Sequence, residues 1–167
     1  MKRFLSILSL CFLLSSMLCA QEGEAQHAEE GHHAAEKEKG IYEVITSGVY
    51  VYSFAHQEAV GGTEVHFTYW FTHTWGSGLS YTAKFEQGEI LQDMALLGSM
   101  NPYTWMTLNV GPNFALPTEH REFSLGFYAE TEINIRPVSW FHFGPVLGTV
   151  IGTESEGTVG FHLGFEF

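Results

Sequence analysis

Cysteine and basic residues are scarce in this sequence. Its 167 residues include two cysteines, Cys11 and Cys19, and 7 Lys and Arg against 19 Asp and Glu. Both cysteines lie in an N-terminal segment that we expect to be removed, so no disulfide or Cys-ligated metal is expected in the remaining chain. The acidic balance argues against nucleic acid as a partner, because phosphate binding relies on Lys and Arg.

Motifs of common enzymes are missing as well. The sequence contains no HExxH, no nucleophile-elbow serine and no glycine-rich phosphate loop followed by a helix. The single nearby pairing of a nucleophile with a base is His73 with Ser77 or Ser80, and His73 stands at a predicted turn. We therefore predict that the chain is not an enzyme and holds no organic cofactor.

The N-terminus has the layout of a secretory signal peptide, a basic start followed by an apolar run. Lys2 and Arg3 precede an uncharged run of 17 residues, 4–20. A membrane-spanning helix is an alternative, but it needs about 20 apolar residues and this run contains four serines. Residues 1–20 are thus the expected signal. Lipid attachment at Cys19 is a second alternative, which the large Leu18 disfavours.

Residues 21–40 form an acidic leader that is rich in His and Glu. They include six glutamates and no Val, Ile, Leu, Met or aromatic residue, so the leader cannot bury apolar surface and is predicted to be disordered. His27, His32 and His33 stand among these glutamates, and imidazoles with carboxylates are ligands for zinc, copper or nickel. They are candidate ligands for a divalent metal, although a solvated leader also tolerates such residues without binding one.

From Ile41 onward the pattern alternates with period two, and no stretch shows the 3.6-residue period of a helix. In 158–167 one face is apolar and the other is small or polar. The apolar face is Val159, Phe161, Leu163, Phe165 and Phe167. A soluble sandwich exposes large apolar residues only singly, whereas a membrane barrel turns such a face to lipid. We predict that 41–167 form an all-β, transmembrane, antiparallel up-and-down barrel.

Eight strands are expected, an even number as closure across a bilayer requires. Their ranges are 42–56, 64–73, 75–85, 90–99, 105–116, 122–134, 140–152 and 158–167. Trp75, Trp105 and Trp140 stand at the starts of the third, fifth and seventh predicted strands. These strand ends lie at the same side of the barrel, which predicts an interfacial aromatic girdle. By parity, Trp105 and Trp140 face the interior and Trp75 faces lipid.

The remaining connections are acidic and are expected at the opposite end, outside the cell. Their acidic residues are Glu58, Glu64, Glu86, Glu89, Asp93, Glu119, Glu122, Glu154 and Glu156. These carboxylates either keep the rim solvated or bind divalent cations that bridge lipopolysaccharide phosphates.

Many of the alternate strand positions that we predict to face the barrel interior hold polar side chains. We expect these side chains to form a cluster in the lumen. The set is His66, Thr68, Lys84, Asn109, Asn113, Tyr128, Glu130, Glu132, His142, His162 and Glu166. Lys84 and Glu130 should meet counter-charges, because unpaired charges are costly in an enclosed interior. An eight-stranded barrel is about wide enough for its own side chains. A filled polar lumen is therefore expected. The alternative is a route for small solutes or divalent metal that uses the leader and the lumen.

The C-terminal segment GFHLGFEF, with Phe167 last and Phe161, Leu163 and Phe165 alternating before it, resembles the closing strand of Gram-negative outer-membrane barrels. The resemblance implies an outer-membrane location among lipid and lipopolysaccharide, and recognition by the barrel-assembly machinery through Phe165 and Phe167. From about Ile41 the chain also resembles small, short-looped outer-membrane barrels that follow a signal peptide and a leader. We expect a monomeric, non-enzymatic barrel with a role in the envelope and a leader on the periplasmic side.

Overall fold

Nine strand segments form one antiparallel sheet in the part of the chain that the structure describes. The structure is a computed structural model and describes residues 40–167 apart from Gln87 and His120. The segments are β1 (Ile41–Ser53), β2 (Glu58–Trp70), β3 (Trp75–Glu86), β4 (Glu89–Tyr103), β5 (Met106–Ala115), β6 (Ser124–Ile133), β7 (Ile135–Val138), β8 (Phe141–Gly152) and β9 (Glu156–Glu166). The predicted signal, most of the leader and the candidate ligands His27, His32 and His33 lie outside the described residues.

The sheet closes on itself into an eight-stranded barrel. Its order is β6-β5-β4-β3-β2-β1-β9-β8-β7, and β6 also pairs with β8. Segments β6 and β7 are two parts of one strand that is interrupted at Asn134, since both pair with β8. The prediction of an antiparallel barrel of about eight strands is confirmed.

No helix in the described ranges is long and apolar enough to cross a membrane.

The two ends of the barrel differ in their connections. At the terminal end, where Ile41 and Phe167 lie, the strands are joined by the short turns 71–74, 104–105 and 139–140. Backbone hydrogen bonds between Tyr42 and Phe167, of 3.0 and 2.9 Å, hold the two ends of the barrel chain together there. At the opposite end, called the loop end, the connections follow β1, β3, β5 and β8.

Strands β2 and β4 extend further than the sequence predicted. The β1–β2 ladder continues to Ser53 opposite Glu58, so the turn covers only 54–57 and β2 begins six residues before the predicted position 64. Glycines and acidic residues in 57–64 are typical of a loop, but here residues 58–64 pair with β1 and residues 61–64 pair with β3 as well. The prediction for the fourth strand, 90–99, was also too short, since β4 spans Glu89–Tyr103.

Large apolar side chains cover the outside of the barrel wall. Those exposed by 44% or more include Phe67, Leu79, Leu96, Val110, Phe127, Leu147, Val159 and Phe161. The inside carries the opposite parity, which is mostly polar but also includes Ile45, Val51, Leu97 and Val146. This mixed interior explains why the alternation is weaker in the first strands than in β9.

The inward orientation predicted for two tryptophans is wrong. Trp105 and Trp140 lie in the turns 104–105 and 139–140 and are about half exposed, as is Trp75 at the start of β3. Side chains alternate between the two faces only along continuous strand backbone. Counting odd and even positions through a turn therefore does not predict which way a side chain in that turn points. All three indoles are exposed at the terminal end. Trp140 packs against Phe141 and Phe165, and Trp105 lines the cavity that opens there.

Candidate functional site

The lumen holds nearly all the polar side chains predicted to point inward. His66, Thr68, Lys84, Asn109, Asn113, Tyr128, Glu130, Glu132, His142 and His162 are buried, while Glu166 is partly exposed at the terminal end. They fall into three groups along the barrel axis, each completed by residues that the sequence prediction did not include.

The central cluster comprises Glu64 and His66 of β2 and Tyr128, Glu130 and Glu132 of β6. The Tyr128 hydroxyl donates to Glu64 Oε1 at 3.0 Å. His66 has Glu64 Oε1 3.3 Å from Nε2, and Glu132 Oε1 3.3 Å from Nδ1. All five side chains are buried. The cluster is thus a packed polar layer without direct access to bulk solvent.

Neighbouring strands add hydrogen bonds to this layer. Ser80 and Thr82 of β3 donate to Glu64 Oε1 at 2.8 and 2.9 Å. Asn109 of β5 donates to Glu132 Oε1 at 2.9 Å and accepts from Ser99 of β4 at 2.7 Å. Hydroxyl and amide groups therefore hold the glutamates in fixed positions.

The central cluster spans the full width of the barrel. Three strands, β3, β4 and β5, separate β2 from β6 on one side, and β1, β9 and β8 separate them on the other. The two strands are diametrically opposite, and their side chains still meet at hydrogen-bond distance. The lumen is consequently filled at this level.

A second group, the loop-end cluster, comprises Lys84, Asp93, Arg121 and Glu156. Lys84 Nζ lies 2.6 and 2.9 Å from the two carboxylate oxygens of Glu156 and 2.9 Å from Asp93. Arg121 lies 2.8 Å from the other oxygen of Asp93 and also donates to the backbone carbonyl of Leu116. Two cations face two carboxylates, so the charges balance within the cluster.

The third group, the terminal cluster, comprises Glu43, Trp70, Arg136, His142, His162 and Glu166. Glu43 accepts from the Trp70 indole at 2.9 Å and lies 2.8 Å from His142 Nε2. His142 Nδ1 in turn lies 3.2 Å from His162 Nε2. Arg136 forms an ion pair with Glu166. Each carboxylate of this cluster therefore has a donor.

Three acids predicted to lie in outer loops are instead inside the barrel. Glu64, Asp93 and Glu156 are buried, so the prediction of a solvated position was wrong for them. Glu64 is the first residue of the predicted second strand, 64–73, and it is buried at the same parity as His66 and Thr68, so the parity of that strand already indicated an inward position. Glu58, Glu119 and Glu122 are exposed.

Trp70 and Arg136 were also missed by the sequence reasoning, although both complete a cluster. Trp70 is the one tryptophan of the described chain that is buried, and it faces Glu43 across neighbouring strands. Arg136 lies in β7, beyond the break at Asn134. The alternation does not continue through this break, and so the sequence did not show where Arg136 points.

The candidate base His73 and the candidate nucleophile Ser80 differ in their surroundings. Ser80 is buried and donates to Glu64, whereas His73 lies in the exposed turn 71–74 and Ser77 is exposed on β3. A serine nucleophile needs a base within hydrogen-bond reach.

Two cavities open at the ends of the barrel. One of about 460 Å³ lies at the loop end and is lined by Lys84, Arg121 and Glu156 among others. The second, of about 650 Å³, lies at the terminal end beside Trp70 and Arg136. No central-cluster residue lines either cavity. Each cavity ends at a charged cluster.

Comparisons with known proteins show which known structures this fold resembles. No family model matches the sequence, and no curated protein matches it. The N-terminal β-barrel domain of Pseudomonas aeruginosa OprF aligns with a TM-score of 0.56 and 16% identity, covering 77% of this chain and 100% of that chain. The fold is that of an outer-membrane β-barrel.

Two further structures agree. Ail, the attachment invasion locus protein of Yersinia pestis, has a TM-score of 0.51 and 11% identity, and Neisserial surface protein A has 0.51 and 9%. In both cases the match covers 77% of this chain and 97% of the other. Identities this low show the fold alone, so the roles of the interior clusters follow from this chain's own residues.

Proposed function

We propose that the chain is a non-enzymatic, integral outer-membrane protein with a structural role in the envelope and a filled polar lumen. The observation that carries the proposal is the contact of β2 with β6 across the barrel, between Glu64 and Tyr128 and between His66 and Glu132. Side chains that meet across the full diameter act as internal struts. They favour a rigid barrel over an open pore.

The outer surface supports a position in a lipid bilayer. The apolar belt matches the lipid-facing band of such barrels, and the exposed Trp75, Trp105 and Trp140 at the terminal end suit an interfacial girdle. We place the terminal end, with the leader, in the periplasm and the loop end outside. Lipid and lipopolysaccharide are then the partners of a monomeric barrel.

The last strand supports recognition by the barrel-assembly machinery. Phe165 and Phe167 are exposed on the outer face, and β9 pairs with β1 to close the sheet. A strand that closes the barrel last leaves its edge accessible until closure. We propose that Phe165 and Phe167 are the assembly signal that the machinery contacts.

Transport of a small solute or metal through the lumen is the competing function. It would require a continuous aqueous path between the two end cavities, and the central cluster stands in that path. Because the blocking groups are hydrogen-bonded in several directions, side-chain rotation alone does not open it.

Planar-bilayer recordings test the closed lumen. The purified full chain, inserted into a bilayer in 1 M salt, is expected to give no unitary current above that of the detergent control. A general porin in the same chamber serves as the positive control for insertion and detection. Reproducible single-channel steps from the full chain, scaling with salt concentration, would refute the proposal of a filled structural lumen.

A further inference from the structure

The central cluster carries more negative charge than its own residues balance. Glu64, Glu130 and Glu132 are each at most 4% exposed and share one imidazole, that of His66. The Lys and Arg residues of the described barrel, Lys84, Arg121 and Arg136, are paired in the other two clusters. Buried charges without a counter-charge are costly, so the cluster must either take up protons or bind a cation.

Several buried polar atoms of this cluster have no hydrogen-bond partner among the described residues. They are Nδ1 of His66, Oε2 of Glu130 and Oε2 of Glu132. Buried polar atoms in native proteins almost always have a partner. Of these atoms, Oε2 of Glu130 belongs to a carboxylate that a bound ion would complete, whereas Nδ1 of His66 lies 3.3 Å from Glu132 Oε1.

The spacing of the ligand atoms suits a single metal ion. One carboxylate oxygen each of Glu64 and Glu130 and one nitrogen of His66 lie within 4.8 Å of one another. Zinc binds nitrogen and oxygen at about 2.0–2.2 Å, so two ligands on the same ion lie at most about 4.4 Å apart. The Nε2 of His66 and Oε1 of Glu64, at 3.3 Å, are already within this limit. Glu130 Oε1 lies 3.7 Å from the other ring nitrogen, Nδ1, so the Glu130 side chain must turn toward Nε2 to join Glu64 on the ion.

Glu132, the glutamate of the central cluster that is not a proposed ligand, supports the His66 ring. With the ion on the Nε2 side of His66, Glu132 Oε1 lies 3.3 Å from the opposite ring nitrogen, Nδ1. A metal-bound histidine usually donates its other N–H to a carboxylate, which fixes the ring. Asn109 holds Glu132 in turn.

The chemistry of the donor set selects the ion. One imidazole with two carboxylates suits zinc and similar divalent transition metals, whereas calcium and magnesium prefer oxygen ligands alone. We propose that the barrel interior binds one divalent transition-metal ion of the Zn²⁺ type through Glu64, His66 and Glu130. The ion offsets two of the three carboxylate charges of the layer and joins β2 to β6. The structural role proposed above does not depend on it.

The terminal cluster shows why not every His–Glu group qualifies. Glu43, His142 and Glu166 also lie within ligand distance of one another. However, Glu166 pairs with the cation Arg136. The buried side-chain atoms without a partner in the described chain include atoms of His66 and Glu130 but none of Glu43, His142 or Glu166. His142 is therefore a matched control, since it is an equally buried lumen histidine outside the proposed site.

Zinc titration of the full chain tests the site. The protein is extracted in detergent, stripped with chelator and titrated with ZnCl₂ by calorimetry, with bound metal counted by elemental analysis. One tight site per chain is expected. His66→Gln should weaken that site by about tenfold or more, since changes even to outer-shell partners cost 10–100-fold, while His142→Gln should keep it.

Two further variants keep the result decisive. Combined replacement of His27, His32 and His33 by Ala removes the candidate ligands of the leader and should leave the tight site intact. Glu130→Gln, which preserves shape, replaces His66→Gln if that variant does not fold. Tight zinc binding that survives both lumen substitutions, or is lost with the leader histidines, would overturn the proposal. The absence of any tight site in the unaltered chain would show that protons alone neutralise the cluster, and would overturn it as well.

Discussion

Replacing Lys84 by Met is expected to lower the free energy of unfolding by about 3–5 kcal/mol, the usual cost of removing one partner from a buried ion pair. Lys84 is 2% exposed and contacts both Glu156 and Asp93. Without it, two buried carboxylates share the single charge of Arg121. Urea unfolding of the barrel in lipid vesicles, followed by tryptophan fluorescence, measures the loss.

Glu86→Gln is the matched control for this change. Glu86 is the last residue of β3, only partly buried, and lines the same loop-end cavity as Lys84. Removing one charge there should alter stability by no more than about 0.5 kcal/mol, as for most surface substitutions. If Lys84→Met costs no more than Glu86→Gln, the loop-end cluster does not contribute to the stability of the barrel.

Replacing Glu43 by Ala is expected to cost about 2–4 kcal/mol, because two buried groups lose their partner at once. The Trp70 indole N–H and His142 Nε2 both contact the Glu43 carboxylate. Glu43→Gln should cost less, since the amide oxygen still accepts from Trp70. The same urea titration in vesicles gives both values.

Glu58→Ala provides the reference for loss of a glutamate from a strand. Glu58 begins β2 at the loop end and is exposed, so its replacement should be close to neutral. Equal midpoints for the Glu43 and Glu58 variants would mean that the terminal cluster is solvated rather than a buried network.

The sequence predicted the fold well because the strongest alternation lies where the barrel wall is most regular. In β9, each large apolar residue faces outward and each small or polar one inward. In β1, by contrast, Ile45, Val49 and Val51 point inward together with Glu43 and Ser47. Parity alone does not separate lipid from lumen in such a strand.

The interior pairs were less accessible to prediction. Parity places Lys84 inside, but its partner Glu156 lies 72 residues away on a strand three positions round the ring. Which inward residues meet depends on the closure and register of the whole sheet, which strand patterns do not specify. Arg121 lies outside any strand, and so no periodicity indicated its contact with Asp93.

Closure of the barrel in the outer membrane is tested most directly by gel migration of the full chain from outer-membrane fractions, before and after boiling in SDS. The unboiled protein is expected to migrate at a different apparent mass from the boiled protein, because a closed barrel resists unfolding by SDS until heated. A variant lacking Phe167 should yield less of the heat-sensitive form. Identical migration of the full chain before and after boiling, or its absence from the outer-membrane fraction, would contradict the account.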